Sequence, residues 1–170
     1  MVPNVRAIER NELALVQRLH ERCADFWTLV EGEPPRPGLA EELMHEVPPG
    51  GTIDHKHVLG AFDAELVALL DLYDGYPEPH AWYVSLLLVA PEARGGGLGH
   101  ELVAYAEAYV RARGGRALRL IVQEQNPRAL AFWMREGFVY EATTTQKIGR
   151  PNVVTRLVKP LSLSPRTRAC

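Results

Sequence analysis

Apolar residues recur along this chain with two periods, and the switches between them mark out its elements. Val5 to Ile8 predicts a short strand. Leu13, Leu15, Val16 and Leu19 then follow largely helical spacing behind Asn11, a residue type that caps helices by accepting a first-turn N–H. Residues 23–37 are less regular: Phe26, Trp27 and Leu29 precede a run rich in Gly and Pro, which predicts a partly helical segment and then a loop. A short helix over Leu39 to Glu46 stops before Pro48-Pro49-Gly50-Gly51. His57–Phe62 and Leu66–Tyr73 predict an antiparallel pair turning at Asp63-Ala64-Glu65. In Ala81–Val89, Trp82, Val84, Leu86 and Leu88 alternate with Tyr83, Leu87 and Val89, the pattern of a central strand covered on both faces.

That strand stops at Pro91 and runs through Arg94-Gly95-Gly96-Gly97-Leu98-Gly99 into an amphipathic helix over 97–113, with Leu98, Leu102, Val103, Ala106 and Val110 on one face. Glycine allows a positive φ and lets backbone N–H groups approach a ligand with no Cβ in the way. The unpaired first-turn amides and the helix dipole favour an anion, so the junction predicts a phosphate cradle. A Walker A loop would need Gly-Lys-Ser/Thr where His100-Glu101 follows Gly99, and a dinucleotide fingerprint would need Gly at position 100 or 102, which are His and Leu. Leu118–Gln123 is the next strand, making a parallel crossover unit. Asn126 as cap and Pro127 at the first helical position open a helix running through Trp133 to Glu136. Phe138–Ala142 and Val153–Val158 are the closing strands.

Composition narrows the function classes. The 170 residues suit a single domain over 1–160 with a flexible tail over 161–170. With 19 Lys+Arg against 21 Asp+Glu there is no basic field for nucleic acid or a membrane surface, so neither is an expected partner. Cys23 and Cys170 form no disulfide framework, His55-x-His57 is a poor metal signal, and no metal is expected. No signal-like start and no long apolar run are present, so a cytoplasmic protein is expected.

Val89-x-Pro91-x-x-Arg94-Gly95-x-Gly97-x-Gly99, then Leu102, Val122-x-x-x-Asn126-x-x-Ala129, Trp133 and Gly137-Phe138, together resemble the GNAT superfamily of N-acetyltransferases. The likeness covers about residues 4 to 159 in layout. It implies a three-layer α+β fold: a mixed, mainly antiparallel sheet of about seven strands, a splayed parallel pair at its centre and helices on both faces. It implies acetyl-CoA as acyl donor, held by Leu87, Leu88, Val89, Arg94, Gly95, Gly96, Gly97, Leu98, Gly99, His100, Asn126, Ala129, Phe132 and Trp133. The acceptor expected is a small-molecule or exposed peptide amine, and the protein a monomer or homodimer.

One position departs from the pattern. Many members of the family carry a tyrosine where Trp133 stands, to protonate the leaving thiolate, and Trp cannot do this. Tyr140, Tyr105 or a water are the alternatives, and Asp71, Glu78, His80 and Glu124 are the candidate bases, with Tyr140 and Glu124 taken as the catalytic pair. Phe26, Trp27, Tyr76 and Tyr83 are expected to line the acceptor site, where Glu31 and Glu33 favour a cationic amine. A non-catalytic acyl-CoA sensor of the same fold is the competing expectation.

Overall fold

The computed structural model describes residues 4–146 and 152–162. Seven strands, β1 (Asn4–Ala7), β2 (Lys56–Phe62), β3 (Leu66–Asp74), β4 (Ala81–Val89), β5 (Ala117–Gln123), β6 (Val139–Gln146) and β7 (Asn152–Pro160), form one sheet in the order β1-β2-β3-β4-β5-β7-β6. Among the described residues only β4 and β5 are parallel, and every other pairing is antiparallel. Helices α4 (Leu98–Ala112) and α5 (Pro127–Arg135) pack on one face through Val103, Ala106, Val110 and Trp133. On the other face lie α1 (Leu13–Arg22), α2 (Ala24–Glu31) and α3 (Leu39–His45), burying Val16, Leu19, Ala40 and Leu43 against Val58, Leu69 and Leu88.

The predicted strands and helices all form, with three corrections. Asn11 does not cap the first helix. It lies inside a 3-10 turn, Arg10–Glu12, whose start is held by the Glu12 carboxylate: this accepts the Glu9 N–H at 2.9 Å and pairs with Arg6. That pairing keeps the Glu12 carboxyl well down, at about 2. Second, β4 does not alternate strictly. Its register against β3 slips at Ser85, so that Asp71 faces Leu86 while Leu72 faces Val84. Trp82 and Val84 therefore share the α4–α5 side with Leu87 and Val89, whereas Leu86 and Leu88 turn toward α1 and α3. A one-residue bulge reverses side-chain parity in this way. Third, Leu161 of the expected tail is buried in the core, its N–H donating to the Arg116 carbonyl at 2.7 Å; positions 163–170 lie outside the described residues.

The hinge between α4 and β5 is packed without slack. Gly115 donates to the Val110 carbonyl at 2.9 Å, and a Cβ there would overlap Val110 Cγ1 and the buried Trp82 ring. Gly115→Ala is expected to cost about 1–3 kcal/mol by overpacking. A fall of several degrees in Tm would show it, and an unchanged Tm would contradict it.

Candidate active site

The sheet opens where β4 leaves β5. The two strands pair only at Ala81–Ala117, Trp82–Leu118 and Tyr83–Arg119, yet β4 stays joined to β3 as far as Val89 and β5 to β7 as far as Gln123. A wedge results, with its apex at Tyr83 and Arg119. Ser85, in the middle of a seven-stranded sheet, is exposed, and Leu86 and Leu87 are only half-buried.

Backbone polarity inside the wedge follows from register. Ala90 donates to the Val67 carbonyl at 2.9 Å, and antiparallel residues alternate in which neighbour they bond, so Leu88 bonds β3 while Leu87 and Val89 turn their polar groups into the wedge. The Val89 carbonyl accepts Arg94 Nε at 2.9 Å. The Leu87 groups face no strand. Strand backbone groups left unbonded in this way can be paired by an extended ligand with amides, which adds to such an edge as a strand does.

At the wide end of the wedge, Gly95 (φ +84°) and Gly97 (φ +91°) bend the chain into α4, and a Cβ at Gly95, Gly96 or Gly97 would meet nothing within 4 Å. Above them is open space; below are the first-turn amides of a 15-residue helix with no side-chain cap. At Gly99 an added Cβ would lie 3.2 Å from the Phe132 ring, so glycine there lets α4 start close against α5. His100 Nδ1 lies 2.8 Å from Glu136 Oε2 and ties α4 to the end of α5. Buried Asn126 caps α5, its Oδ1 accepting the Ala129 N–H at 3.1 Å.

Arg94 is held to one side of this cradle. Its guanidinium engages Asp25 with Nη1 at 2.5 Å and Nη2 at 3.2 Å, which lowers the Asp25 pKa. At the far end of α2, Gln125 Nε2 donates to the Val30 carbonyl at 3.1 Å. Asp25 is thereby tied to the end of β4 and Val30 to the end of β5, so α2 bridges the mouth of the wedge. Beside it lies a cavity of about 470 Å³ walled by Trp27, Glu31, Glu33, Leu43 and Glu46.

The expected site residues divide accordingly. Leu87, Val89, the glycines and Leu98 border the wedge or its cradle, Phe132 packs against Gly99, and Asn126 and Ala129 open α5 beyond the end of β5. Leu88 is a correction: its backbone bonds β3 and its side chain is buried in the α1–α3 cluster. Trp133 belongs to the core, edge-on to Phe132 and Phe138. Phe26 packs into the α1–α3 cluster, whereas Trp27 walls the cavity and donates to His20 Nδ1 at 3.2 Å. Tyr76 and Tyr83 meet edge to face at the apex, and burial pushes the Tyr83 hydroxyl up to about 12.

Of the catalytic pair expected from the sequence, Tyr140 is kept from the wedge. Tyr140 is 59% exposed on the edge strand β6, with β7 between it and β5. Glu124 is exposed beyond the end of β5, its N–H bonded to the Val153 carbonyl. Among the other carboxylates considered, Glu78 is paired with Arg119, but Asp71 lies on β3 opposite the bulge, 2% exposed. One Asp71 oxygen accepts from Lys56 Nζ at 2.7 Å, and the other, Oδ1, has no partner among the described residues. Burial pushes the Asp71 carboxyl up to about 6 despite the opposing Lys56 charge.

Sequence reasoning missed Ser85, Lys56, Asp25 and Gln125. For Ser85 a signal existed, a lone hydroxyl in the apolar run Val84–Val89. Among the described residues no group of three or more His, Cys, Asp or Glu is arranged to hold a metal ion, and no helix is long and apolar enough to cross a membrane.

A crystal structure of an acetyltransferase from Thermus thermophilus superposes with a TM-score of 0.76 at 28% identity, covering 95% of this chain and 98% of that one. Two others share the fold. The spermidine N-acetyltransferase of Vibrio cholerae, solved with CoA and spermine, has a TM-score of 0.70 at 22% identity over 94% and 96% of the chains. The ribosomal-protein-S18-alanine N-acetyltransferase of Escherichia coli has a TM-score of 0.69 at 14% identity over 98% and 99%. No curated protein sequence matches the chain. The family model for the acetyltransferase (GNAT) family matches residues 16–138, from α1 through the glycine cradle to the turn after α5, and by that match the chain belongs to the GNAT acetyltransferases.

Proposed function

We propose that this chain transfers an acetyl group from acetyl-CoA to an amine by direct attack in a ternary complex. The observation carrying this reading is the wedge itself, lined by unpaired β4 backbone and ending in an open, positive-φ glycine cradle at a helix start. The amides of residues 95–99 suit a pyrophosphate, and Leu87 and Val89 suit the pantetheine amides. Bound there, acetyl-CoA supplies a thioester carbonyl carbon open to an amine, with thiolate as leaving group.

The chain's own residues support the remaining steps. The Leu87 N–H, turned into the wedge, suits a developing oxyanion. An alkylammonium with a pKa of about 10.4 must lose a proton before attack. Asp71 is the carboxylate at the level of the bulge, and it suits that proton through a water. Trp133 offers no acidic hydroxyl, so the thiolate takes its proton from solvent.

Calorimetric titration with acetyl-CoA, followed by a free-thiol assay over a panel of amines, tests the reading. Saturable binding and turnover are expected, and absence of binding would end it. A second reading, an acyl-CoA sensor without catalysis, is favoured by Trp133 at the usual tyrosine position, and turnover with any acceptor removes it. Asp71→Asn is expected to lower kcat/KM about 100-fold and to abolish an acidic limb with its midpoint at about 6. An unchanged pH profile would exclude Asp71 from proton transfer.

A further inference from the structure

Resting on the acetyl-transfer reading, we infer that the acceptor is an amine carrying a carboxylate, such as a free α-amino acid, and that Arg156 is the counter-charge for that carboxylate. The inference starts from strand register. Tyr83 pairs with Arg119 and Ile121 with Arg156, so all four share one face of the sheet; Trp82, Leu118, Leu120 and Leu157 lie on the other face, under α4 and α5.

On the Arg156 side, α1 and α3 cover β2, β3 and β4, and that cluster draws no residue from β5, β6 or β7. The floor beyond β4 is open at Arg156, which is exposed on it, and closes one step further along at Val154, buried level with Gln123 where α2 is tied to the end of β5. Its neighbour Arg119 is saturated by Glu78 and Glu141. Arg156 has no carboxylate partner among the described residues, and the preceding segment 147–151, Lys-Ile-Gly-Arg-Pro, contains no acid.

Depth along the strands matches the reacting centre. Two residues past the last β4–β5 rung bring β4 to Ser85 and β5 to Ile121, and Arg156 is level with Ile121. Strands lie about 4.8 Å apart, so an arginine side chain extended across β5 reaches the wedge. Its charge is felt at the Tyr83 hydroxyl on the far side. On the opposite flank, one strand outside β4 and at the same depth, stands Asp71. A molecule lying over the bulge thus has the buried Asp71–Lys56 pair to one side and a guanidinium to the other. Arg and carboxylate pair through two parallel hydrogen bonds, which would fix the acceptor with its amine toward β4. A polyamine would set a second cation against Arg156.

The test uses the thiol-release assay with saturating acetyl-CoA and three kinds of probe: free L-amino acids, their α-amides, and spermidine. Free amino acids are expected to exceed the matched amides by roughly tenfold or more in kcat/KM, as loss of a charge-assisted pair implies. Arg156→Gln should raise KM for the free acids by a similar factor, leave kcat and the amides unchanged, and bind acetyl-CoA as the wild type does; Arg156→Lys should retain part of the preference. Equal or better turnover of amides or spermidine, an unaffected Arg156→Gln, or acetyl-CoA binding with no free amino acid turned over would each overturn the inference. Failure to bind acetyl-CoA would instead remove the reading on which it rests.

Discussion

Gly97→Glu is expected to abolish acetyl-CoA binding while leaving the fold in place. Gly97 occupies φ +91° at the start of α4, with no atom within 4 Å of the position a Cβ would take, so the protein itself does not obstruct a larger residue. The structural cost is the left-handed backbone alone, about 1–2 kcal/mol for a residue with a Cβ. The ligand's cost is much larger. A carboxylate placed at the helix N-terminus competes for the same amides and repels the pyrophosphate, in the region where the dipole would otherwise favour it. Gly97→Ala separates the two effects, since it carries the strain without the charge. Calorimetry should find weakened binding for Gly97→Ala and no measurable heat for Gly97→Glu, with both variants folded by circular dichroism. Binding by Gly97→Glu within about threefold of wild type would remove the glycine turn from the donor site.

The second large effect concerns Lys56 and Asp71. Both side chains are under 5% exposed and their charged atoms are 2.7 Å apart. Lys56→Met strands a buried carboxyl and is expected to cost about 3–5 kcal/mol near neutral pH, whereas the double change Lys56→Met with Asp71→Leu should recover most of it. The loss also depends on pH. The Asp71 carboxyl is raised from 3.8 to about 6 in the folded chain, so the folded state holds this proton more tightly than the unfolded one. Its contribution to stability is full below about pH 4 and is lost as pH rises through 6. Removing Lys56 takes away the charge that opposes this rise, so the variant should lose more at pH 8 than at pH 5. His20 runs the other way. Burial lowers it from 6.5 to about 4, so its contribution is present above 6.5 and is lost as pH falls through 4. In the wild type the two slopes oppose each other between about 4 and 6. Urea denaturation of the Lys56→Met chain at the two pH values measures the difference, and equal losses would contradict the buried-pair account.

Much of this molecule is legible before folding is considered. The span Ala81–Val89, the glycine cradle and the Asn126–Pro127 helix start all stand where local pattern puts them. Local physics suffices in these places: apolar period selects strand or helix, and Gly, Asn and Pro mark ends through their own backbone preferences. What escaped local reading depended on partners distant in sequence. Arg94 sits beside the cradle in sequence, but its guanidinium is spent on Asp25, 69 residues away. Tyr140 looked available as an acid until the sheet order set β7 between it and β5. Asp71 stood in the sequence as one of four candidate bases, and the register of β4 on β3 set it opposite the bulge at Ser85; a bulge is a relation between two strands and neither contains it alone.

By itself, then, the sequence determined the strand, glycine turn and helix of the proposed donor site: these in succession are a local grammar, and consecutive amides at a helix start suit an anion. The proposed acceptor side was decided by tertiary structure. Tyr83, Asp71 and Arg156 stand on three different strands, and only sheet pairing brings residues so far apart in the chain to one face and neighbouring depths.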